Sequence, residues 1–264
     1  MEHLDYLKLR GRMPDFEEVF GPDKAGSATP SSGDDEGGKS EPWRRFPKTE
    51  PGAYLGNQPR FTDFLRKLNN KSARVLDVGC GMGTYRHEIN RLGSYTGMDF
   101  DPALKPEVLC NFNIESFPFP DNSFDFVFSD SVLEHVMNPL AVMDEVYRVM
   151  KPGGCGYLLV PFHYKAHGAP WDFFRYSKAG VHLLLRQFTA VEIYPIGGSL
   201  SVLCHILWNY ARVLDRLHML LGNAYRCVIW CLFKMLNPLD RFDPYRVFTR
   251  GHYAFFRKAP TTDF

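Results

Sequence analysis

Short, almost wholly apolar segments alternate with amphipathic segments from residue 73 to the end of the chain. Apolar runs of about four to eight residues between turn residues are typical of buried strands, whereas apolar residues spaced by three and four are typical of helices. This pattern predicts seven strands, at 73–78, 94–100, 107–112, 124–130, 155–161, 189–196 and 251–258. Because helical segments separate most of them, we expect an α/β fold with a Rossmann-like, doubly wound, mostly parallel seven-stranded sheet.

A helical insertion is predicted between strands six and seven, at 198–246. Its first helix has an apolar face that includes Leu200, Leu203 and Leu207, and a polar face that includes Ser201 and His205. The next segment, 224–236, is apolar almost all round but shorter than the ~20 residues that a membrane-spanning helix needs. We interpret the insertion either as a roof over a substrate or as a surface that contacts a membrane or a partner.

The N-terminal part of the chain differs from this core. Residues 21–42 contain no Leu, Ile, Val or aromatic residue, so they cannot bury enough apolar surface to offset the entropy of ordering. The predicted organisation is an N-terminal helix or arm (1–20), a disordered linker (21–42), a helical cover (43–72), the core (73–197), the insertion (198–246), and the final strand with a tail (247–264). The first 20 residues carry acids and no apolar stretch, which is not typical of a signal peptide. We therefore expect a cytoplasmic protein, with peripheral membrane contact through 199–236 as an alternative.

Charge and cysteine content exclude several classes of site. The chain has 31 Lys and Arg against 30 Asp and Glu, a net charge of +1, so we expect no nucleic-acid partner. Its six cysteines form no pair of CxxC motifs, and no metal site is predicted. Cys227 and Cys231 lie one helical turn apart in an apolar run, and we expect both thiols to be buried.

The chemistry is concentrated after the first two strands. Gly79, Gly81 and Gly83 follow the first strand in VLDVGCGMGTY, where glycines allow a tight turn and close approach of a ligand to the backbone. Asp99 ends the second strand, 20 residues after Gly79, and a carboxylate there can accept hydrogen bonds from both ribose hydroxyls. Because the chain has no GxxxxGK[ST] motif, the pattern favours a ligand with a ribose but without a cradled phosphate.

Four motifs, VLDVGCGMG, GMDFDP, FPFPDNSFDFVFSDSVLEHV and EVYRVMKPGG, occur in order over about 73–160. Together they resemble class I S-adenosylmethionine (SAM) dependent methyltransferases of the small-molecule "type 11" group. The resemblance implies SAM as the cofactor, an antiparallel last strand and methyl transfer as the activity. It implies cofactor contacts for Asp77, Gly79, Cys80, Gly81, Gly83, Tyr85, Asp99, Phe100, Asn113, Ile114 and Ser129.

The resemblance also implies individual roles. Asp77 and Ser129 would lie at the methionyl end, and Phe100 and Ile114 would flank the adenine. Asn113 stands where the family commonly has Asp, and its amide oxygen can still accept from the adenine amino group. Tyr85 has two interpretations, packing on the helix or touching the carboxylate of SAM.

The segment PFHYKAHGAPWDFFRYS (161–177) is rich in aromatic and ionisable residues and follows the fifth strand, at the edge where ligands bind in doubly wound sheets. We interpret it as a substrate-side element with Tyr164, Trp171, Asp172 and Arg175. The alternative is that its aromatic residues only anchor it to the core. A hydroxyl acceptor needs a base, and the candidate catalytic residues are His163, His167 and His135. For His135, a role as a core or capping residue is an interpretation of equal weight to a catalytic role.

These features predict a SAM-dependent methyltransferase acting on a small-molecule or lipophilic acceptor, with O-methylation as the expected reaction. Two alternatives stay open: a catalytically silent SAM-binding interaction module, and a membrane-surface enzyme with a lipid-linked substrate. Aromatic residues are 15% of the chain and concentrate in 171–176 and 199–248, which is where we expect the acceptor to be selected.

Overall fold

The computed structural model describes residues 73–90, 93–168, 170–216, 218–243 and 248–261. The arm, linker and helical cover predicted for 1–72 lie outside the described residues. Within the described ranges, seven strands form one sheet: β1 (Arg74–Val78), β2 (Ser94–Asp99), β3 (Val108–Leu109), β4 (Phe124–Asp130), β5 (Met150–Pro161), β6 (Thr189–Pro195) and β7 (Gly251–Arg257). Their order is β3-β2-β1-β4-β5-β7-β6, and the predicted fold class is confirmed.

The sheet is parallel from β3 to β5, and β7 runs antiparallel to both β5 and β6. The central strand β1 is apolar on both sides: Leu76 and Val78 belong to one core cluster, and Val75 belongs to another. Burial on both faces explains why this strand has no alternation of polar residues. Because β1, β2, β4 and β5 are parallel, their carboxyl ends meet at one edge of the sheet, and the candidate site lies there.

Five α-helices connect or extend the described strands: α1 (Arg86–Ile89), α2 (Pro139–Val149), α3 (Lys178–Leu184), α4 (Ser199–Asp215) and α5 (Met219–Leu236). The predicted caps of α2 and α3 are confirmed. The Asn138 side chain accepts from the Ala141 backbone N–H, with Pro139 in the first turn, and Ser177 accepts from the Gly180 N–H. Short 3-10 segments follow β2 (Pro102–Leu104), β4 (Leu133–His135) and α5 (Asn237–Phe242).

Strand β5 begins five residues earlier than predicted. The pattern placed residues 151–154 in the end of a helix, but Met150 already pairs with Phe124. The register then shifts between Phe124 and Phe126, and Gly153 adopts a φ of 75°. An irregular, glycine-containing strand start is not visible to a search for apolar runs, because residues 151–153 are only half-buried.

The insertion contains α4 and α5, and α4 differs from the prediction in the face that it buries. Ser201, on the predicted polar face, is completely buried, whereas Leu203 is exposed. The Asp240 carboxylate accepts from the backbone N–H groups of Gly198, Leu200 and Ser201, and so draws this side of the helix start inward. No α-helix in the described ranges is long and apolar enough to span a bilayer.

The expectation for two cysteines was wrong. Cys227 and Cys231 lie on α5 and are both exposed. A segment that is apolar all round does not show which of its faces the fold covers, and this pair lies on an uncovered face.

Candidate active site

The Gly-rich turn after β1 is held tightly against its neighbours. The backbone N–H groups of Gly79 and Cys80 both donate to the Met98 carbonyl, at 2.8 and 3.1 Å. Gly79 has a φ of 72°, and a Cβ atom there would overlap both methyl groups of Val132. Only glycine fits this position, because it tolerates the left-handed conformation and leaves room for Val132.

Gly81 joins this turn to the end of β2. Its N–H donates to Asp99 Oδ2 at 2.9 Å, and Asp99 Oδ1 accepts from the Asp101 N–H at 3.1 Å. These two bonds fix the orientation of the buried Asp99 carboxylate, while each oxygen keeps acceptor capacity. A Cβ atom on Gly81 would meet no atom within 4 Å, so its open side faces free space.

A cavity of about 470 Å³ opens at this edge of the sheet, within the size range of small-molecule and cofactor sites. Eight residues singled out in the sequence line it: Gly79, Gly81, Asp99, Phe100, Asn113, Ile114, His135 and Trp171. Eight further residues, which the sequence pattern did not indicate, complete the lining: Asp101, Leu104, Asn111, Phe112, Ser131, Val132, Met137 and Gly168. Most of these lie in loops after β2, β3 and β4, where local periodicity carries no signal.

One end of the cavity is suited to a flat ring. Phe100 and Ile114 line it and are 50% and 74% exposed, unusually high for apolar side chains. Asn113 Oδ1 accepts from the Met137 N–H at 2.9 Å. An amide oxygen has two lone pairs, so one acceptor position of Asn113 is still available to a ligand.

Buried carboxylates lie behind the turn. Burial raises the pKa of Asp77 to about 8, although the Tyr95 hydroxyl donates to it, and the charges of Asp130 and Asp99 raise it further. Burial also raises the pKa of Asp130, which ends β4 and accepts from the Tyr85 and Ser131 hydroxyls at 2.9 and 2.8 Å. Asp130 was missed in the sequence, although its position at the carboxyl end of a central strand was a usable signal.

The remaining predicted cofactor residues do not line the cavity. The Cys80 side chain is buried, and Gly83, at a φ of 68°, lies against the Arg86 guanidinium. Ser129 Oγ is buried and has no hydrogen-bond partner among the described residues. Tyr85 packs edge-on against Phe128 with ring centroids 4.9 Å apart.

The loop after β5 is anchored to the 3-10 turn after β4. The backbone N–H groups of Phe173 and Phe174 donate to the Glu134 carbonyl, and the Tyr176 hydroxyl donates to the Leu133 carbonyl. These bonds bring Trp171 to the wall of the cavity. The two segments meet because β4 and β5 are adjacent and parallel.

An ion pair stiffens this loop internally. The Arg175 guanidinium donates to both carboxylate oxygens of Asp172, and Asp172 Oδ2 also accepts from the His167 N–H at 2.8 Å. Arg175 holds the pKa of Asp172 well below its usual range. Tyr164 lies apart from the cavity lining and stacks on His205, with centroids 4.9 Å apart.

The three candidate histidines occupy different environments. His135 lines the cavity. The His167 ring lies beside the His135 ring, with the two ring centroids 4.7 Å apart. His163 does not line the cavity: its ring packs against Phe162 and Phe248, and its Nδ1 lies 2.9 Å from the Thr249 carbonyl. Glu134, for which no role was predicted, is completely buried, and burial raises its pKa to about 8.

Comparison with known proteins agrees with this geometry. A family model described as "Methyltransferase domain" matches residues 76–158. A Schizosaccharomyces pombe protein named as an uncharacterized methyltransferase is 35% identical over 34% of this chain and 41% of its own length. A demethylmenaquinone methyltransferase of Listeria welshimeri is 37% identical over 32% and 43%. A tRNA U34 carboxymethyltransferase of Methylococcus capsulatus is 30% identical over 43% and 41%.

The family match covers residues 76–158, and the seven-stranded sheet around it has the strand order described above, so this part of the chain is similar to methyltransferase domains. This chain spans less than half the length of each of the three relatives. Two of their names give an acceptor, demethylmenaquinone and tRNA U34, and because these differ the similarity does not define the acceptor of this chain.

Proposed function

We propose that this protein transfers a methyl group from SAM to an oxygen atom of a small-molecule or lipophilic acceptor. The observation that carries the proposal is the continuity of one cavity. Gly81 and Asp99 line it at the Gly-rich turn, and His135 and Trp171 line it on the acceptor side. Donor-side and acceptor-side groups therefore border the same volume, as a transfer between two positioned molecules requires.

The donor side fits the adenosine part of SAM. Asp99 can accept from the ribose hydroxyls, because its carboxylate is fixed by backbone donors but not saturated. Phe100 and Ile114 expose apolar surface that would cover the two faces of the adenine. Asn113 keeps an acceptor position for the adenine amino group.

The end of the site that carries the buried carboxyl groups is suited to the methionyl part of SAM. Bound SAM supplies an electrophilic methyl group on a sulfonium, and it carries a second positive charge on its ammonium group. The charges of Asp130 and Asp99 raise the pKa of Asp77, and a cationic ligand beside these groups would favour the ionised form of Asp77. Ser129 Oγ, which is without a described partner, is the candidate hydrogen-bonding group at this end.

On the acceptor side, the chain's own residues orient the nucleophile and accept its proton. His135 and His167 are the candidate bases, since imidazole titrates near neutral pH. Asp172 and Arg175 have a positioning role, because their ion pair fixes the conformation of the loop that carries Trp171. His163 is left out of the proposal because its ring packs away from the cavity lining.

The acceptor is proposed to be a small or lipophilic molecule rather than a nucleic acid. A chain with a net charge of +1 lacks the basic surplus that usually supplies nucleic-acid affinity. The cavity wall is predominantly apolar, with Phe100, Ile114, Val132, Met137 and Trp171 among its members. Of the relatives' names, demethylmenaquinone fits this wall better than tRNA U34.

We also propose that α4 and α5 rest on a membrane surface from the cytoplasmic side. Their exposed apolar side chains include Ile206 at 60%, Tyr210 at 57%, Val228 at 57% and Met235 at 72%. The segment 216–236 has no Asp or Glu, but it has two Arg and one Lys. Exposed apolar side chains beside basic ones are typical of helices that lie in a lipid interface.

Isothermal titration calorimetry with SAM tests the cofactor site. We expect the full chain to bind SAM and Asp99→Ala to bind it about tenfold or more weakly, since hydrogen bonds to a charged group contribute ~1.5–3 kcal/mol. Asp144→Ala, which removes an exposed carboxylate paired with Arg186, should leave the affinity unchanged. Normal SAM affinity in Asp99→Ala would overturn the assignment.

The release of S-adenosylhomocysteine tests the transfer itself. Extracts of molecules that copurify with the protein, identified by mass spectrometry, should contain an acceptor that gains 14 mass units on incubation with SAM, roughly one CH₂. Tight SAM binding without release, and tolerance of substitutions in 161–177, would favour the catalytically silent module instead.

A further inference from the structure

Three metal-ligating side chains converge where the loop after β5 meets the turn after β4. His135 Nε2 lies 3.2 Å from His167 Nε2, and Glu134 Oε1 lies 3.8 Å from the first nitrogen and 3.7 Å from the second. All three ligand atoms fall within 4.8 Å of one another. This cluster contains no cysteine and joins two segments more than 30 residues apart in sequence, so the spacing rules used on the sequence do not detect it.

The hydrogen bonds of the two rings define their protonation. His135 Nδ1 contacts the Trp171 carbonyl, and His167 Nδ1 lies 3.2 Å from the Lys165 carbonyl. A carbonyl oxygen can only accept, so each Nδ1 carries a hydrogen. In neutral rings both Nε2 atoms then present lone pairs, and they face each other and a carboxylate. Such an arrangement is repulsive unless a proton or a metal ion lies between the three atoms.

The environment of the Glu134 carboxylate also favours a bound cation. Glu134 is completely buried, and neither of its oxygens has a hydrogen-bond partner among the described residues. An unpaired buried carboxylate is costly. The Arg175 guanidinium, whose charge acts on Glu134, bonds Asp172 and backbone carbonyls instead.

We infer that Glu134, His135 and His167 bind a divalent transition-metal ion such as Zn²⁺. Two imidazoles and one carboxylate are an established ligand set for such ions. With metal–ligand bonds of about 2.0–2.2 Å, the donors of a tetrahedral site are roughly 3.3–3.6 Å apart. The observed separations of 3.2, 3.7 and 3.8 Å need only small adjustments to match this spacing. Both Nδ1–H groups are already oriented by carbonyls, as is usual for histidine ligands.

The ion would lie next to the proposed methyl donor. His135 lines the cavity, and a Cβ atom on Gly168 would approach its Cε1 to 2.8 Å, so the ring is closely enclosed. Three protein ligands leave a coordination position open, as in catalytic metal sites. If the proposed function holds, an acceptor hydroxyl bound at that position would lose its proton more readily, and the ion would then replace the two imidazoles as the group that activates the acceptor. Metal binding itself does not depend on that function.

Calorimetric titration of the chelator-treated full chain with Zn²⁺ alone, without SAM, tests the inference. We expect one Zn²⁺ per chain in the wild type and at least tenfold weaker binding in both His167→Ala and Glu134→Gln. His87→Ala, which removes an exposed histidine elsewhere, should bind Zn²⁺ like the wild type. Zn²⁺ should also raise the melting temperature of the wild type but not of His167→Ala, which separates loss of a ligand from loss of the fold.

Two results would overturn the inference: no stoichiometric Zn²⁺ in the wild type, or equal binding in all four proteins. Either would mean that Glu134, His135 and His167 do not bind the metal ion. Because SAM affinity is measured without metal and Zn²⁺ affinity without SAM, failure of this inference is distinguishable from failure of the proposed function.

Discussion

The Tyr95 hydroxyl donates a 2.7 Å hydrogen bond to the Asp77 carboxyl group and so joins β2 to β1 directly beneath the Gly-rich turn. Burial nevertheless raises the pKa of Asp77 from 3.8 to about 8. The domain therefore keeps a carboxyl group whose ionisation in the absence of ligand costs stability. A cationic ligand next to it would recover part of that cost.

Asp77 should make stability decrease with pH. In the unfolded chain this carboxyl loses its proton near pH 4, whereas in the folded chain it keeps the proton to about pH 8. Between those values the unfolded state holds fewer protons, so the free energy of unfolding falls as pH rises and levels off above pH 8. Asp77→Asn, which keeps the shape and the acceptor for Tyr95, should flatten this dependence, raise the stability at pH 8 and weaken SAM binding.

Urea denaturation from pH 4 to 9 measures this effect. Asp144→Asn, an exposed acid paired with Arg186, is the matched control and should follow the wild type. An unchanged pH slope in Asp77→Asn would contradict the assignment.

Gly81 should be required for the cofactor rather than for the fold. Gly81 and Gly153 both have positive φ, and at both a Cβ atom would meet nothing within 4 Å. Gly81→Ala and Gly153→Ala therefore carry a similar backbone cost of about 1–2 kcal/mol. Only Gly81 lines the cavity, so calorimetry should show weaker SAM binding in Gly81→Ala alone. Equal affinities in the two variants would show that the open side of Gly81 does not face the cofactor.

Gly79 should be required for packing. A Cβ atom there would overlap the Val132 methyl groups, so Gly79→Ala should lower the free energy of unfolding by about 1–3 kcal/mol from overpacking, in addition to backbone strain. In a Val132→Ala background most of the overlap disappears and the added cost should be smaller. A double-mutant cycle by urea denaturation gives the coupling, and strict additivity would refute the contact.

The ion pair between Asp172 and Arg175 should order the loop after β5. Asp172→Ala removes the acceptor of both Arg175 and the His167 N–H, so amide hydrogen exchange over 163–175 should become faster while that of β4 and β5 stays slow. Asp121→Ala removes the partner of another arginine, Arg148, at the surface and should leave the loop unchanged. Unaltered exchange in Asp172→Ala would show that the backbone bonds to Glu134 suffice.

Membrane contact through α4 and α5 predicts co-sedimentation with vesicles that contain anionic lipid. Ile206→Glu with Met235→Glu places charge on exposed apolar positions and should abolish sedimentation. Leu109→Glu changes an exposed apolar residue on β3 and should have no effect. If wild type stays in the supernatant, another partner or another part of this chain covers these side chains.

The sequence alone determined the features that depend on neighbouring residues. The apolar runs identified every strand of the sheet, and Asn138 and Ser177 marked the starts of their helices through local side-chain bonds. The glycines after β1 and the acid after β2 indicated the edge of the sheet where the cavity lies, because parallel strands place their carboxyl ends together. Each of these signals involves only a few neighbouring residues, so it can be recognised without knowledge of how the chain packs.

Only the tertiary structure decided which distant groups meet. It placed Glu134 and His135 against His167, and it separated His163 from them. It also showed that α4 buries Ser201 and exposes Leu203, which the periodicity of the helix did not indicate. The reason is physical: periodicity reports the apolar residues available for burial, but contact between segments depends on strand order, register and side-chain volume, which no short stretch of sequence contains.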